Sequence, residues 1–228
     1  MKEVIREAEK YVRNLFSKVY IPGHDWLHTC RVRNLALYIA EDYNVNKLAL
    51  ELATLFHDTG RIEDDNENHA KISARIAKDF LERFDVDIET FNIVIRSIEE
   101  HDGIVEPTYL EGKILQDADK LDGMGAVGLL RIVESAVLKR MYEYDEENPF
   151  GIGFNGDLES WIKENLGEVP NKRMRVNEYI VEEIIGKEMQ WINMFWTEKA
   201  KRIAIRRFEF MKRFLKELLK DLEESGVI

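Results

Sequence analysis

The 228-residue sequence predicts an all-α protein. Two observations carry that expectation. Nearly every segment repeats its apolar residues at helical spacing, and no segment sustains the alternation of a half-buried strand. The composition allows such a fold a real core, with 45% hydrophobic and 34% charged residues. No internal repeat or linker divides the chain, so residues 1–228 are expected to form a single domain.

Each element has its own signal. Val4, Ala8, Tyr11, Leu15 and Val19 mark one face of a first helix. Pro22–Gly23 breaks it. Asp25 is placed to cap a second helix with His28, Val32, Leu35 and Ile39 along one stripe. "NKLALELATLFHDTG" reads as a short buried helix with Gly60 as a left-handed C-cap. Further helices are expected from Asn66 to Arg83, Asp87 to His101, and Tyr109 to Met141, the last bent near Gly123 and Gly125. Asp145–Asp157, rich in Gly, Asn and Pro, reads as a connection or as a lid over a pocket. Short helices at Leu158–Leu166 and Arg173–Ile185 precede a long one from Thr197 to about Glu224. In that last helix Ala204, Phe208, Met211, Leu215, Leu218 and Leu222 recur at spacings of four and three. Such a seam packs against its own core or joins homo-oligomers.

Charge and cysteine content narrow the function classes. A formal net charge of −11 opposes binding to a nucleic-acid polymer, which needs clustered Lys and Arg along its phosphates. Cys30 is the only cysteine, so no intrachain disulfide forms and a reducing cytoplasm is the expected location. Met1–Phe16 is charged and lacks a secretory apolar core. No apolar run approaches the ~18 residues of a membrane span.

The chain has five histidines, and four fall where a core would hold them. His28 shares the stripe of Val32, Leu35 and Ile39. His57 and Asp58 end a helix, where free carbonyls favour a cation and an Asp is disfavoured unless a positive charge neutralises it. His101 extends the stripe Val94–Ile98, and His69 precedes Ile72 and Ile76 at inward spacing. In "DADKLD", Asp119 follows Leu115 by four and points inward. Asp122 shares its side as support, while Asp117, about 200° away, turns to solvent or an adjoining edge. Burying imidazoles and carboxylates together is costly unless they are paired or hold a metal. The joint pattern points to a metal centre.

The order His28, His57–Asp58, Asp119 resembles the HD superfamily of metal-dependent phosphohydrolases. The segments "HDWLHTCRV", "LATLFHDTGRIE", "HAKISARIA" and "HDGIVEPTYLEGKILQDADKLDGMGAVGLLR" carry the likeness, as does "TEKAKRIAIRRFEFMKRFLKEL". The likeness is greatest to small stand-alone microbial members, some of them nucleoside triphosphate pyrophosphohydrolases. It implies a helical bundle with its core over about 21–140 and a C-terminal helical extension over about 157–224.

It also implies that His28, His57, Asp58 and Asp119 hold one divalent ion. Mixed imidazole–carboxylate ligation leaves Mn, Fe, Co, Ni, Mg and Zn as candidates. His69 and His101 match the histidines that bind a second metal in dinuclear members; otherwise they contact phosphate or move protons, with Asp122 in support. His24 lies outside the ligand set. Arg61, Lys71 and Lys120 adjoin the motifs as candidate phosphate contacts. The expected reaction is hydrolysis of a nucleotide, a triphosphate cut to monophosphate and pyrophosphate. Two alternatives share the ligand set: an HD-type di-iron oxygenase and a nucleotide-sensing metal-binding module.

Overall fold

The computed structural model describes residues 2–63, 68–102, 106–167 and 174–228. Among them every regular element is helical, apart from an isolated bridge pairing Tyr142 with Tyr179. The expected starts at Asn66 and Arg173 lie outside the described residues. The chain divides into two compact units, residues 1–122 with 196–200, and residues 123–195 with 201–228. The bounds of the first differ from the expected core of residues 21–140.

The first unit contains α1 (Lys2–Phe16), α2 (Trp26–Ala40), α3 (Lys47–Phe56), α4 (His69–Leu81), α5 (Ile88–Glu99) and α6 (Leu110–Asp122). α3 is its centre. Seven of its ten residues, Ala49, Leu50 and Leu52–Phe56, are buried, because its sequence is apolar on nearly all sides. It packs against α1, α2, α5 and α6, and the ring centroids of Phe56 and Phe80 lie 5.1 Å apart. Caps fix where the helices start. Asp25 accepts from His28 N at 2.8 Å, Asn46 from Ala49 N at 3.0 Å, and Asp87 from Thr90 N at 2.9 Å.

Gly60 departs from its expected role. It lies inside a 3-10 turn, Thr59–Ile62, and is not at positive φ. What it supplies is space: a Cβ there would fall on the His69 carbonyl and come within 2.7 Å of Ser73 N. The Gly60 N–H donates to Ser73 Oγ at 2.8 Å, so the turn leaving α3 is pinned to the start of α4. This contact brings His57–Asp58 and His69 together.

The second unit contains α7 (Gly125–Lys139), α8 (Leu158–Asn165), α9 (Ile180–Gly186) and most of α10 (Glu198–Glu224). The expected single helix from Tyr109 to Met141 is two helices, α6 and α7. Gly125, at φ 73°, takes a turn that a side chain would strain. The Asp145–Asp157 stretch is a connection packed from within. Phe150 is buried, its carbonyl accepts from Trp161 Nε1 at 2.7 Å, and Phe154 stacks on both rings.

In the α10 seam Ala204, Phe208, Met211, Leu215 and Leu222 are buried within the chain, and Leu218 is half-buried. Among the described residues no helix is long and apolar enough to cross a membrane.

Candidate metal centre

Five helices of the first unit bring their polar residues to one point. α2 carries His28, the end of α3 carries His57 and Asp58, α6 carries Asp119, and the start of α4 with the end of α5 carries His69 and His101. His28 Nε2 lies 3.2 Å from His57 Nε2, 3.3 Å from Asp58 Oδ2 and 3.4 Å from Asp119 Oδ1. His57 Nε2 lies 3.6 Å from Asp58 Oδ2. Metal bonds of about 2.0–2.2 Å place neighbouring donors roughly 3.0–3.5 Å apart. The spacing fits one ion.

The tautomers agree. His57 Nδ1 faces the Thr54 carbonyl at 2.8 Å and must donate to it. His28 Nδ1 faces Asp122 Oδ2 at 2.8 Å. With both protons on Nδ1, two bare Nε2 lone pairs meet at 3.2 Å, a repulsive contact that a cation between them relieves. Burial pushes the His57 imidazole down to about 4, despite the opposing charges of Asp58 and Asp119. It is therefore neutral, as ligation requires. In the metal-free protein, with an unfolded value near 6.5, its contribution to stability is present above that value and lost as pH falls through 4. A proton–carbon NMR titration should show the His57 ring unchanged from pH 7 to 5; a midpoint near 6.5 would mean the ring is hydrated.

Asp58 has an oxygen on each side. Its Oδ2 faces His28 and His57, and His24 Nδ1 contacts the same oxygen at 2.6 Å. Its Oδ1 faces His101 Nε2 at 3.4 Å and His69 Nε2 at 3.8 Å, and those two nitrogens lie 3.3 Å apart. Arg61 Nε donates to Oδ1 at 2.7 Å. Burial alone would raise the Asp58 carboxyl, but Arg61, then His57 and His24, outweigh it and hold it well below the usual carboxylate range. Among the described residues three triads have the spacing to hold an ion: His24, His28 and Asp58; His28, His57 and Asp119; and Asp58, His69 and His101.

The remaining expected residues divide. Asp122 stands behind the donors, on the far nitrogen of His28. It is gripped by Arg31, Nε to Oδ1 at 2.7 Å and a terminal nitrogen to Oδ2 at 2.9 Å. It therefore orients a ring and does not face the cluster. Asp117 corrects the expectation of solvent: it is fully buried and caps the start of α10, accepting from Trp196 N, Thr197 N and Thr197 Oγ1 at 2.9, 2.8 and 2.6 Å. Lys120 is buried beside Asp119, its ammonium on Gln116 Oε1 at 3.1 Å, and burial lowers its pKa against the pull of Asp119 and Asp117. Lys71 is exposed, about 200° around α4 from His69, and does not join the cluster. Arg31 was missed, whereas His24, expected outside the ligand set as support or without a role, contacts Asp58 Oδ2 at 2.6 Å. Arg31 follows His28 by three, which puts both on one side of α2.

Removing the Asp122 charge while keeping its shape isolates the orienting contact. Asp122→Asn should weaken divalent-ion affinity about 10- to 100-fold with little change in secondary structure. Competition against a fluorescent chelator measures it, and unchanged affinity would show that the His28 ring needs no such support.

Four similarities to known proteins bear on this arrangement. The family model described as HD domain matches residues 26–124. The Bacillus subtilis (strain 168) protein YpgQ is 31% identical over 206 residues, spanning 88% of this chain and 85% of YpgQ. A crystal structure of B. subtilis YpgQ in complex with ADP aligns over 96% of this chain and 95% of that one, with 26% identity and a TM-score of 0.66. The structure of a predicted HD superfamily hydrolase from an uncultured Thermotogales bacterium aligns over 95% and 91%, with 27% identity and a TM-score of 0.62.

Proposed function

Because the chain belongs to the HD domain family of metal-dependent phosphohydrolases, we propose that its substrate is a nucleoside triphosphate, cut to monophosphate and pyrophosphate. The observation that carries this reading is the buried convergence of His28, His57, Asp58 and Asp119. In it these four residues hold the ion. The binding of ADP by the similar YpgQ supports a nucleotide. The charge balance supports a free nucleotide over a polymer, because the site adds only local cations to an acidic chain.

A bound divalent ion supplies Lewis acidity, making a phosphoryl group more electrophilic and a water more acidic. The side chains do the rest. Asp122, held by Arg31, keeps the His28 Nε2 lone pair aimed at the cluster. The Thr54 carbonyl does the same for His57. Arg61 donates to Asp58 Oδ1 and keeps that carboxylate ionised. His69 and His101 handle protons. Burial opposes protonation of His101, but its hydrogen bond to Asp58 and that carboxylate's charge raise its pKa. Asp58 Oδ1 already carries Arg61 and faces His101, which favours proton work there over a second ion.

The closeness of His69, His101 and Asp58 Oδ1 supports one other reading, a second metal. His69→Ala separates the two. The single-ion reading expects kcat to fall about 10²–10⁴-fold, the usual range for a general acid or base, with one ion per chain retained. Loss of half the bound metal together with activity would make the site dinuclear. The substrate itself is tested by pairing Mn, Co, Ni, Mg, Fe and Zn with each nucleoside triphosphate and reading products by phosphorus NMR. Pyrophosphate and monophosphate in equal amounts are expected; orthophosphate as the first product would reject the proposed bond.

A further inference from the structure

One concave site in the first unit takes no part in the chemistry above. A groove of about 490 Å³ runs between α1 and the start of α2, lined by Arg6, Glu9, Lys10, Arg13, Asn14, Ser17 and Trp26. In a chain with eleven more negative than positive charges, it gathers three cations and one carboxylate. That carboxylate is engaged by Arg33, which Glu51 shares. Arg6 makes only a 3.5 Å contact with its neighbour Glu7. Among the described residues neither Lys10 nor Arg13 is joined to a carboxylate, and both side chains stand exposed.

Helix physics makes the cluster informative. Arg6 and Lys10 are four apart and Lys10 and Arg13 three apart, so like charges sit side by side where opposite charges would stabilise α1. An anion in the groove removes that repulsion. The fourth feature is the indole of Trp26, half-buried at the first position of α2. Trp26 lies about 200° around α2 from His28, so the groove and the metal cluster are on opposite sides of that helix. An aromatic face beside clustered cations matches a planar base joined to phosphates.

We infer that this groove is a second nucleotide site, taking a nucleoside diphosphate or triphosphate with its base on Trp26 and its phosphates on Lys10, Arg13 and Arg6. Asn14 and Ser17 complete the wall with amide and hydroxyl groups for the sugar. The site is separate from the hydrolytic one, on the opposite side of α2 from His28.

Equilibrium dialysis with labelled ADP tests it on the metal-loaded full chain, with circular dichroism and metal content as checks of folding. The double variant Lys10→Gln/Arg13→Gln should lose one bound ADP per chain, or bind it at least tenfold more weakly, with its metal retained. Trp26→Leu should weaken ADP at least tenfold while leaving inorganic pyrophosphate binding at the groove unchanged. The Asp58→Ala chain should keep the ADP that the double variant loses, which separates this site from the fate of the hydrolytic proposal. The inference is overturned if the double variant binds as much ADP as wild type. It is equally overturned if pyrophosphate displaces groove-bound ADP as well as ADP does, because the base is then not read. Tighter binding of a single-stranded oligonucleotide than of ADP would assign the groove to nucleic acid instead.

Discussion

Asp58→Ala should leave a protein without its divalent ion and lower kcat/KM by about three orders of magnitude or more. Both carboxylate oxygens of Asp58 are engaged, Oδ2 with His24 and the His28–His57 pair and Oδ1 with Arg61 and His101. Truncation removes a donor and the charge that draws a cation into a buried group of imidazoles. It also leaves Arg61 without its carboxylate. A lost metal forfeits several kcal/mol of transition-state charge stabilisation, and each 1.36 kcal/mol is about tenfold in rate. Elemental analysis and steady-state kinetics on the same preparation measure both effects. Equal metal in variant and wild type would remove Asp58 from the ligand set, whatever happened to activity.

Chelation should lower the melting temperature by roughly 10 °C. A ligand that binds only the folded state at about 1,000 times its Kd contributes about 4 kcal/mol. In a chain of this size each kcal/mol shifts the midpoint about 2–4 °C. The metal-free cluster must also tolerate the facing Nε2 atoms of His28 and His57 at 3.2 Å and the carboxylates of Asp58 and Asp119 beside them. Calorimetry before and after verified metal removal is the measurement, with Mn added back as the control. A midpoint that does not move after chelation would mean that the ion adds nothing to the fold.

Periodicity made most of the fold legible. The caps at Asp25 and Asp87 and the inward stripes of His28 and His101 are local features, set by residues within a turn or two of one another. Gly60 was misread because its reason is not local. A glycine after an apolar run ordinarily ends a helix by its φ, whereas here it makes room for the α4 backbone, which only the tertiary fold brings near. Asp117 was misread for the same reason: its partners, Trp196 and Thr197, are 79 and 80 residues away. The helix over Tyr109–Met141, expected to bend near Gly123 and Gly125, breaks there into two, with Gly125 at positive φ. In the candidate site, residue types and spacing brought out the inward histidines and Asp119, while the division of labour among them depended on distances. Asp122 reads as support by position, and its contact with the far nitrogen of His28 shows which ring it orients. His24 and Arg31 lie inside a segment that carries the family likeness, but only distances give them their partners, Asp58 for His24 and Asp122 for Arg31.

Whether His28, His57, Asp58 and Asp119 hold one ion is tested most directly by anomalous diffraction from Mn-loaded crystals. The predicted result is a single strong peak in the first unit, within about 2.0–2.3 Å of the two Nε2 atoms and the two facing carboxylate oxygens. A peak elsewhere, or none at full Mn occupancy in solution, would contradict it.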